Sequence, residues 1–211
     1  NSSIVRQTRK YFRYQSGKGI QCSLAINFNP SRLIDTITGV ANSTLPSKTS
    51  EVIITNIQSF SYNSFGEDRT GTVIGDNKTI TVLKGDTLRL TVSASGHPTY
   101  IQSSARTSGS GQTNVVTTGV SNNGTDDGII IWDTTNITPG TYYYQCSNHH
   151  TMVGQIIVDS APTATSLVTV TTAEPHGLTR GNTVKISGSS DTEYNGTFTV
   201  VDSEDFSFIY E

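Results

Sequence analysis

The segment Cys146-Ser-Asn-His-His-Thr-Met152 contains the chain's one methionine, two of its four histidines and one of its two cysteines. A soft thiolate, an imidazole and a weak thioether on one tight loop form a donor set that copper prefers. In such a set the thiolate donates most strongly, the imidazole fills the trigonal plane and the thioether lies axially, tuning the potential. Either His149 or His150 can supply the loop imidazole. A second imidazole has to come from elsewhere, and His97 is the source, because Gly96-His97-Pro98 directly follows a strand ending at Ser93. The plainer alternative is that these side chains fill the top of a β-sandwich, with the histidines serving as hydrogen-bonding groups.

Placing these donors requires strands. Thr87-Leu-Arg-Leu-Thr-Val92 sets Leu88, Leu90 and Val92 on one face and Thr87, Arg89 and Thr91 on the other, the period-two pattern of a half-buried strand. Val52–Ile57, Lys78–Leu83, Gly128–Trp132, Thr141–Cys146 and Gly154–Val158 read as further strands. Lys84-Gly85-Asp86 and Thr138-Pro139-Gly140 are turns between them. Short strands separated by Gly, Asn and Pro turns predict a β-sandwich over residues 51–159. In this arrangement Cys146 ends one strand, Gly154 begins the next, and the donor loop joins them.

The loop and its flanks, Tyr142-Tyr-Tyr-Gln-Cys-Ser-Asn-His-His-Thr-Met-Val-Gly154, resemble the ligand loop of the plastocyanin and amicyanin group of cupredoxins. The spacing Cys-x2-His-x2-Met, read as Cys146, His149 and Met152, matches the short amicyanin loop. His150 is then an exposed neighbour. The resemblance implies a cupredoxin-like Greek-key sandwich with one copper ion on His97, Cys146, His149 and Met152. It also marks a departure. The family carries an Asn after its first histidine that braces the two ligand loops, and this chain has Pro98.

The chain has 211 residues, 33% of them hydrophobic, and 19 glycines, which fits small β-domains with modest cores. Its net charge of -3 gives no global case for nucleic acid or membrane binding. No apolar run reaches membrane-spanning length. Charge is uneven, however. Residues 1–34 carry Arg6, Arg9, Lys10, Arg13, Lys18 and Arg32 and no acid, interleaved with Ile4, Tyr11, Phe12, Tyr14 and Ile20. Residues 1–50 therefore read as an extended basic arm that packs on a partner and orders on assembly. Cys22 and Cys146 lie far apart and are expected as reduced thiols. Beyond a Ser/Pro/Thr linker at 159–165, residues 160–211 read as a small β-module with strands near Leu167–Val170, Val184–Ile186, Gly196–Val201 and Phe206–Tyr210. The chain stops inside the last of these, which suggests a fragment of something longer. His176 reads as a turn residue and Asp126-Asp127 as part of a turn. Ser16-Gly-Lys-Gly19 lacks the spacing of a phosphate loop. No Ser-His-Asp or paired-carboxylate arrangement stands out, and the chain is not expected to be an enzyme.

Residues 176–186, 194–200 and 206–208 resemble a β-module that recurs in virion proteins of tailed phages, and residues 9–21 resemble a segment of marine-phage baseplate or tail proteins. These resemblances imply a virion structural protein of tail, baseplate or fibre type. Its expected partners are other virion subunits, met as a homo- or hetero-oligomer through the N-terminal arm. Two further readings stand beside it: a soluble type 1 copper electron-transfer protein, and a module that binds a host surface.

Overall fold

The computed structural model describes residues 34–41, 45–161 and 166–211. Most of the expected arm, together with Cys22, lies outside the described residues, as does part of the linker. The described chain is all-β, as its strand pattern predicts. In chain order the strands are β1 (Ile34–Ala41), β2 (Thr49–Ile57), β3 (Ser61–Asp68), β4 (Gly71–Asp76), β5 (Ile80–Leu83), β6 (Thr87–Ser93), β7 (Thr99–Gln102), β8 (Val120–Ser121), β9 (Asp127–Asp133), β10 (Gly140–Cys146) and β11 (Val153–Asp159). After them come β12 (Ser166–Thr172), β13 (Thr183–Ile186), β14 (Gly196–Glu204) and β15 (Ser207–Tyr210), with one 3-10 turn at Thr192–Tyr194. No helix among the described residues is long and apolar enough to cross a membrane.

Two sheets form the sandwich, a six-stranded one in the order β4-β3-β2-β6-β9-β8 and a four-stranded one in the order β5-β11-β10-β7. The chain leaves the first sheet after β4 and joins the second at β5, where it runs parallel to β11. β2 and β6 form the other parallel pair. These crossings give the Greek-key sandwich that the donor loop requires. Alternation does the sorting: Val52 and Ile54 of β2, Leu88, Leu90 and Val92 of β6, and Ile130 and Trp132 of β9 point inward. They meet Ile80, Val82, Ile101, Tyr144, Ile156 and Val158 from the opposite sheet in one buried core. Facing water instead, Ile74 of β4, Phe65 of β3 and Ile53 of β2 form an exposed cross-strand row on the outer face of the larger sheet.

A third sheet, β1-β12-β15-β14-β13, makes the C-terminal module, and all four strands expected there are present. Its fifth strand comes from inside residues 1–50, a stretch read from sequence as an arm. β1 pairs antiparallel with β12, Ile37 opposite Val170 and Gly39 opposite Val168. The run Ile34-Asp-Thr-Ile-Thr-Gly-Val-Ala41 is rich in β-branched residues that favour such pairing. Val170, Val200, Phe208 and Tyr210 form the module's own core. A separate buried cluster of Leu45, Leu83, Leu167 and Val201 seams it to the sandwich.

Candidate metal centre

His97 is presented by a tight turn. Its N–H donates to Ala94 O at 2.8 Å, closing Ala94-Ser-Gly-His97, and Gly96 occupies the third position with φ 78°. A type II turn needs positive φ there, which glycine supplies without strain. Asp126 Oδ2 accepts the Gly96 N–H at 2.8 Å and anchors the turn. Below the turn, the fully buried Tyr62 hydroxyl donates to His97 O at 3.1 Å and sits 2.7 Å from Thr99 Oγ1. Burial pushes the Tyr62 phenol well above its ordinary range, so it stays a neutral donor.

Cys146 ends β10 with its side chain buried among the sandwich core. Its N–H donates to Met152 O at 3.0 Å, which closes the donor loop into a narrow hairpin. Within that loop, the Asn148 N–H points at Cys146 Sγ at 3.3 Å and the Met152 N–H reaches His149 O at 3.3 Å.

The three strongest donors converge. His97 Nδ1 and His149 Nδ1 lie 3.1 Å apart, and Cys146 Sγ lies 3.8 Å from the first and 3.7 Å from the second. Metal bonds of roughly 2.0–2.1 Å to nitrogen and 2.3 Å to sulfur, opened by about 100–120°, separate their donor atoms by roughly 3.1–3.8 Å. The trio therefore already has the spacing of a ligand set for one first-row ion. A soft thiolate with two imidazoles fits a single copper ion. The pKa of His97 is lowered by burial and then by the neighbouring His149, with Asp126 acting in the opposite direction. That favours the neutral imidazole, the form that binds metal.

Met152 is fully buried in the same core as Cys146. It closes the donor loop through its carbonyl, which accepts the Cys146 N–H. His150 is exposed and outside the cluster of His97, Cys146 and His149; its carbonyl accepts from Gln145 Nε2 at 2.8 Å. His176 is a turn residue: it accepts the Leu178 N–H on Nδ1 at 3.0 Å and bonds Ser207 O through Nε2 at 3.0 Å.

Pro98 removes the side chain expected to brace the two ligand loops, but the loops are braced nonetheless. The Ser147 N–H donates to Pro98 O at 2.9 Å, and Asn148 Nδ2 donates to Gly96 O at 2.8 Å. The second bond runs from the cysteine loop to the histidine loop. Asn148 lay inside the quoted motif, but its type alone gave no direction for its amide. Gln145 belongs to the same motif, with the same lack of direction; Tyr62 and Arg106, which also touch the site's backbone, carried no local signal.

No family model matches the chain, and no curated protein matches it. Among solved structures it is similar to rusticyanin from Thiobacillus ferrooxidans, at 20% identity over 59% of this chain and 97% of that one, with a TM-score of 0.35. Reduced rusticyanin gives 20% identity over 59% and 100% of the two chains, with a TM-score of 0.35. Another structure, described as the copper protein rusticyanin, gives 19% identity over 59% and 98%, again with a TM-score of 0.35. A likeness this loose assigns neither ligand nor role to the chain, and the chemistry of the centre rests on its own donors.

Proposed function

We propose that the sandwich binds one copper ion through His97 Nδ1, Cys146 Sγ and His149 Nδ1, with the Met152 thioether as a weak fourth donor. The observation that carries this reading is the convergence of the three donor atoms, all within 4.8 Å of one another, at the end of a rigid sandwich. When bound, copper supplies one-electron chemistry. The chain's own residues do the rest. Tyr62 and Asp126 fix the His97 turn, Asn148 ties that turn to the cysteine loop, and the apolar core around Met152 excludes water from beneath the thiolate. Adding Cu(II) to the purified chain is expected to produce an intense visible thiolate-to-copper band at one equivalent, absent in Cys146→Ser. Failure of both copper and zinc to bind at stoichiometric level would remove the metal reading.

The larger role we propose is that of a non-enzymatic structural module of a tailed-phage particle, working among other virion subunits. The resemblances of residues 9–21 and of residues 176–186, 194–200 and 206–208 support it. So does the exposed apolar row of Ile53, Phe65 and Ile74, the kind of surface that a neighbouring subunit covers. Peptides of the chain are expected in purified particles at fixed stoichiometry. Their absence from particles would favour the second reading, a soluble one-electron carrier. That alternative has one observation in its favour: His149 is only half-buried, leaving an exit for an electron at the surface.

A further inference from the structure

We propose that Arg106 is a positioning residue that latches the Cys146–Met152 loop, holding it in its ligand-presenting shape before any metal arrives and placing a fixed positive charge on the backbone carbonyl of the thiolate-bearing residue. Its consequence for bound copper rests on the reading of the site given above; its effect on the loop does not.

Arg106 belongs to the long connection between β7 and β8, and its guanidinium reaches four carbonyls. Nη2 donates to Cys146 O at 2.8 Å and to Ser147 O at 3.2 Å, while Nη1 donates to Ser108 O at 3.2 Å and to Gly109 O. The Gly111 N–H adds a bond to Ser147 O at 2.6 Å. One planar fork thus joins its own loop to the first two residues of the donor loop.

The fork is held from beneath by a buried amide. Gln145 Oε1 accepts the Arg106 N–H at 2.8 Å, and Gln145 Nε2 donates to Arg106 O at 2.8 Å. The same amide donates to His150 O at 2.8 Å and accepts from Gln102 Nε2 at 2.7 Å. Gln102 Oε1 in turn accepts the Thr113 N–H at 2.7 Å, fastening the far end of the connection. Gln145 is fully buried with every donor and acceptor used. It therefore ties the Arg106 backbone, in the β7–β8 connection, to the His150 carbonyl inside the donor loop. A buried glutamine with four bonds is an expensive way to hold a surface connection unless the held element has a task. The element it holds is the one carrying Cys146 and His149.

A fixed cation at the Cys146 carbonyl also lowers the electron density available for an oxidised metal on that thiolate, so it favours the reduced ion. Arg106→Gln removes both fork and charge; Arg106→Lys keeps the charge and loses the fork.

Hydrogen exchange of the metal-free full chain tests the latch. The amides of Ser147, Asn148 and Met152 are bonded in the latched loop. In Arg106→Gln their exchange is expected to rise about tenfold while the β2 and β6 amides keep wild-type rates; Arg106→Lys is expected to show the same pattern more weakly. Unchanged loop exchange, or an equal rise in loop and core amides in both variants, overturns the latch. If wild-type protein binds no copper, the site reading fails and the exchange result still decides the latch. In copper-loaded protein, Arg106→Gln is expected to shift the reduced-to-oxidised affinity ratio about tenfold toward oxidised, about 59 mV for one electron, with Arg106→Lys restoring it. A potential that does not move in Arg106→Gln overturns the charge half of the proposal.

Discussion

At the scale of single residues, the donors were legible because their chemistry is rare and their spacing short. One methionine, one cysteine and two histidines inside one loop can hardly be read without a metal in mind. The supports were not legible, because a hydroxyl or amide reveals its partner only once the chain is folded. Tyr62 lies 35 residues from the His97 carbonyl it holds. Tyr62→Phe leaves that carbonyl with only the Thr99 hydroxyl, at 3.3 Å. The expected cost is about 1 kcal/mol of stability, read as a lower urea midpoint with unchanged slope. His97 makes a second prediction. Its folded-state pKa lies below the ordinary histidine value, so as pH falls the unfolded chain takes up a proton first. Metal-free protein should therefore lose stability on acidification from about pH 6.5 downward, and His97→Gln should flatten that dependence. Urea titrations at stepped pH check both parts.

At the scale of elements, strands with apolar alternation were legible and polar ones were not. β6 was plain from Leu88, Leu90 and Val92. β3, Ser61-Tyr-Asn-Ser-Phe-Gly-Glu-Asp68, was invisible because its inward residues after Tyr62 are small, Ser64 and Gly66. The reason lies across the core. The Tyr144 hydroxyl reaches over to this strand, 2.8 Å from Ser64 Oγ, and donates to Lys78 O at 2.7 Å. Burial pushes its pKa up to about 12. Gly154 faces the same ring from β11, paired with Tyr144, and a Cβ there would run into the ring's Cζ and Oη. Gly154→Ala must therefore displace a ring fixed at its hydroxyl end. It should cost about 1–3 kcal/mol and loosen the hairpin that carries the donor loop, measured as a lower melting temperature with weaker copper binding. β1 escaped notice for another reason: a single strand that completes a distant sheet has no local partner to announce it.

For the whole described molecule, the sandwich and the C-terminal module are tied by a buried ionic knot. Arg69 Nε and Nη2 bond Asp86 at 2.8 and 2.6 Å, Nη2 also donates to Pro46 O at 2.7 Å, and Nη1 pairs with Asp202 of β14 at 2.7 Å. Both carboxylates and the guanidinium are buried. Burial disfavours the arginine's charge, and Asp86 and Asp202 more than offset it. Asp86 is further satisfied by the Lys48 and Leu83 N–H groups at 2.9 and 2.8 Å. Arg69→Met would leave two buried carboxylates without a counter-charge, and about 3–5 kcal/mol of stability should be lost. Limited proteolysis should then release the C-terminal module, where the wild-type chain resists. None of this was visible in the sequence, in which Arg69, Asp86 and Asp202 are three ordinary charges in three different turns and strands.

The most direct test of the metal centre is titration of purified, metal-free chain with Cu(II), followed by visible absorption and by the metal content of the recovered protein. One copper per chain with an intense thiolate band, lost in Cys146→Ser and weakened in His97→Gln and His149→Gln, is the predicted result. Copper bound without that band, or with unchanged affinity when Cys146 is replaced, would contradict the His97, Cys146 and His149 centre.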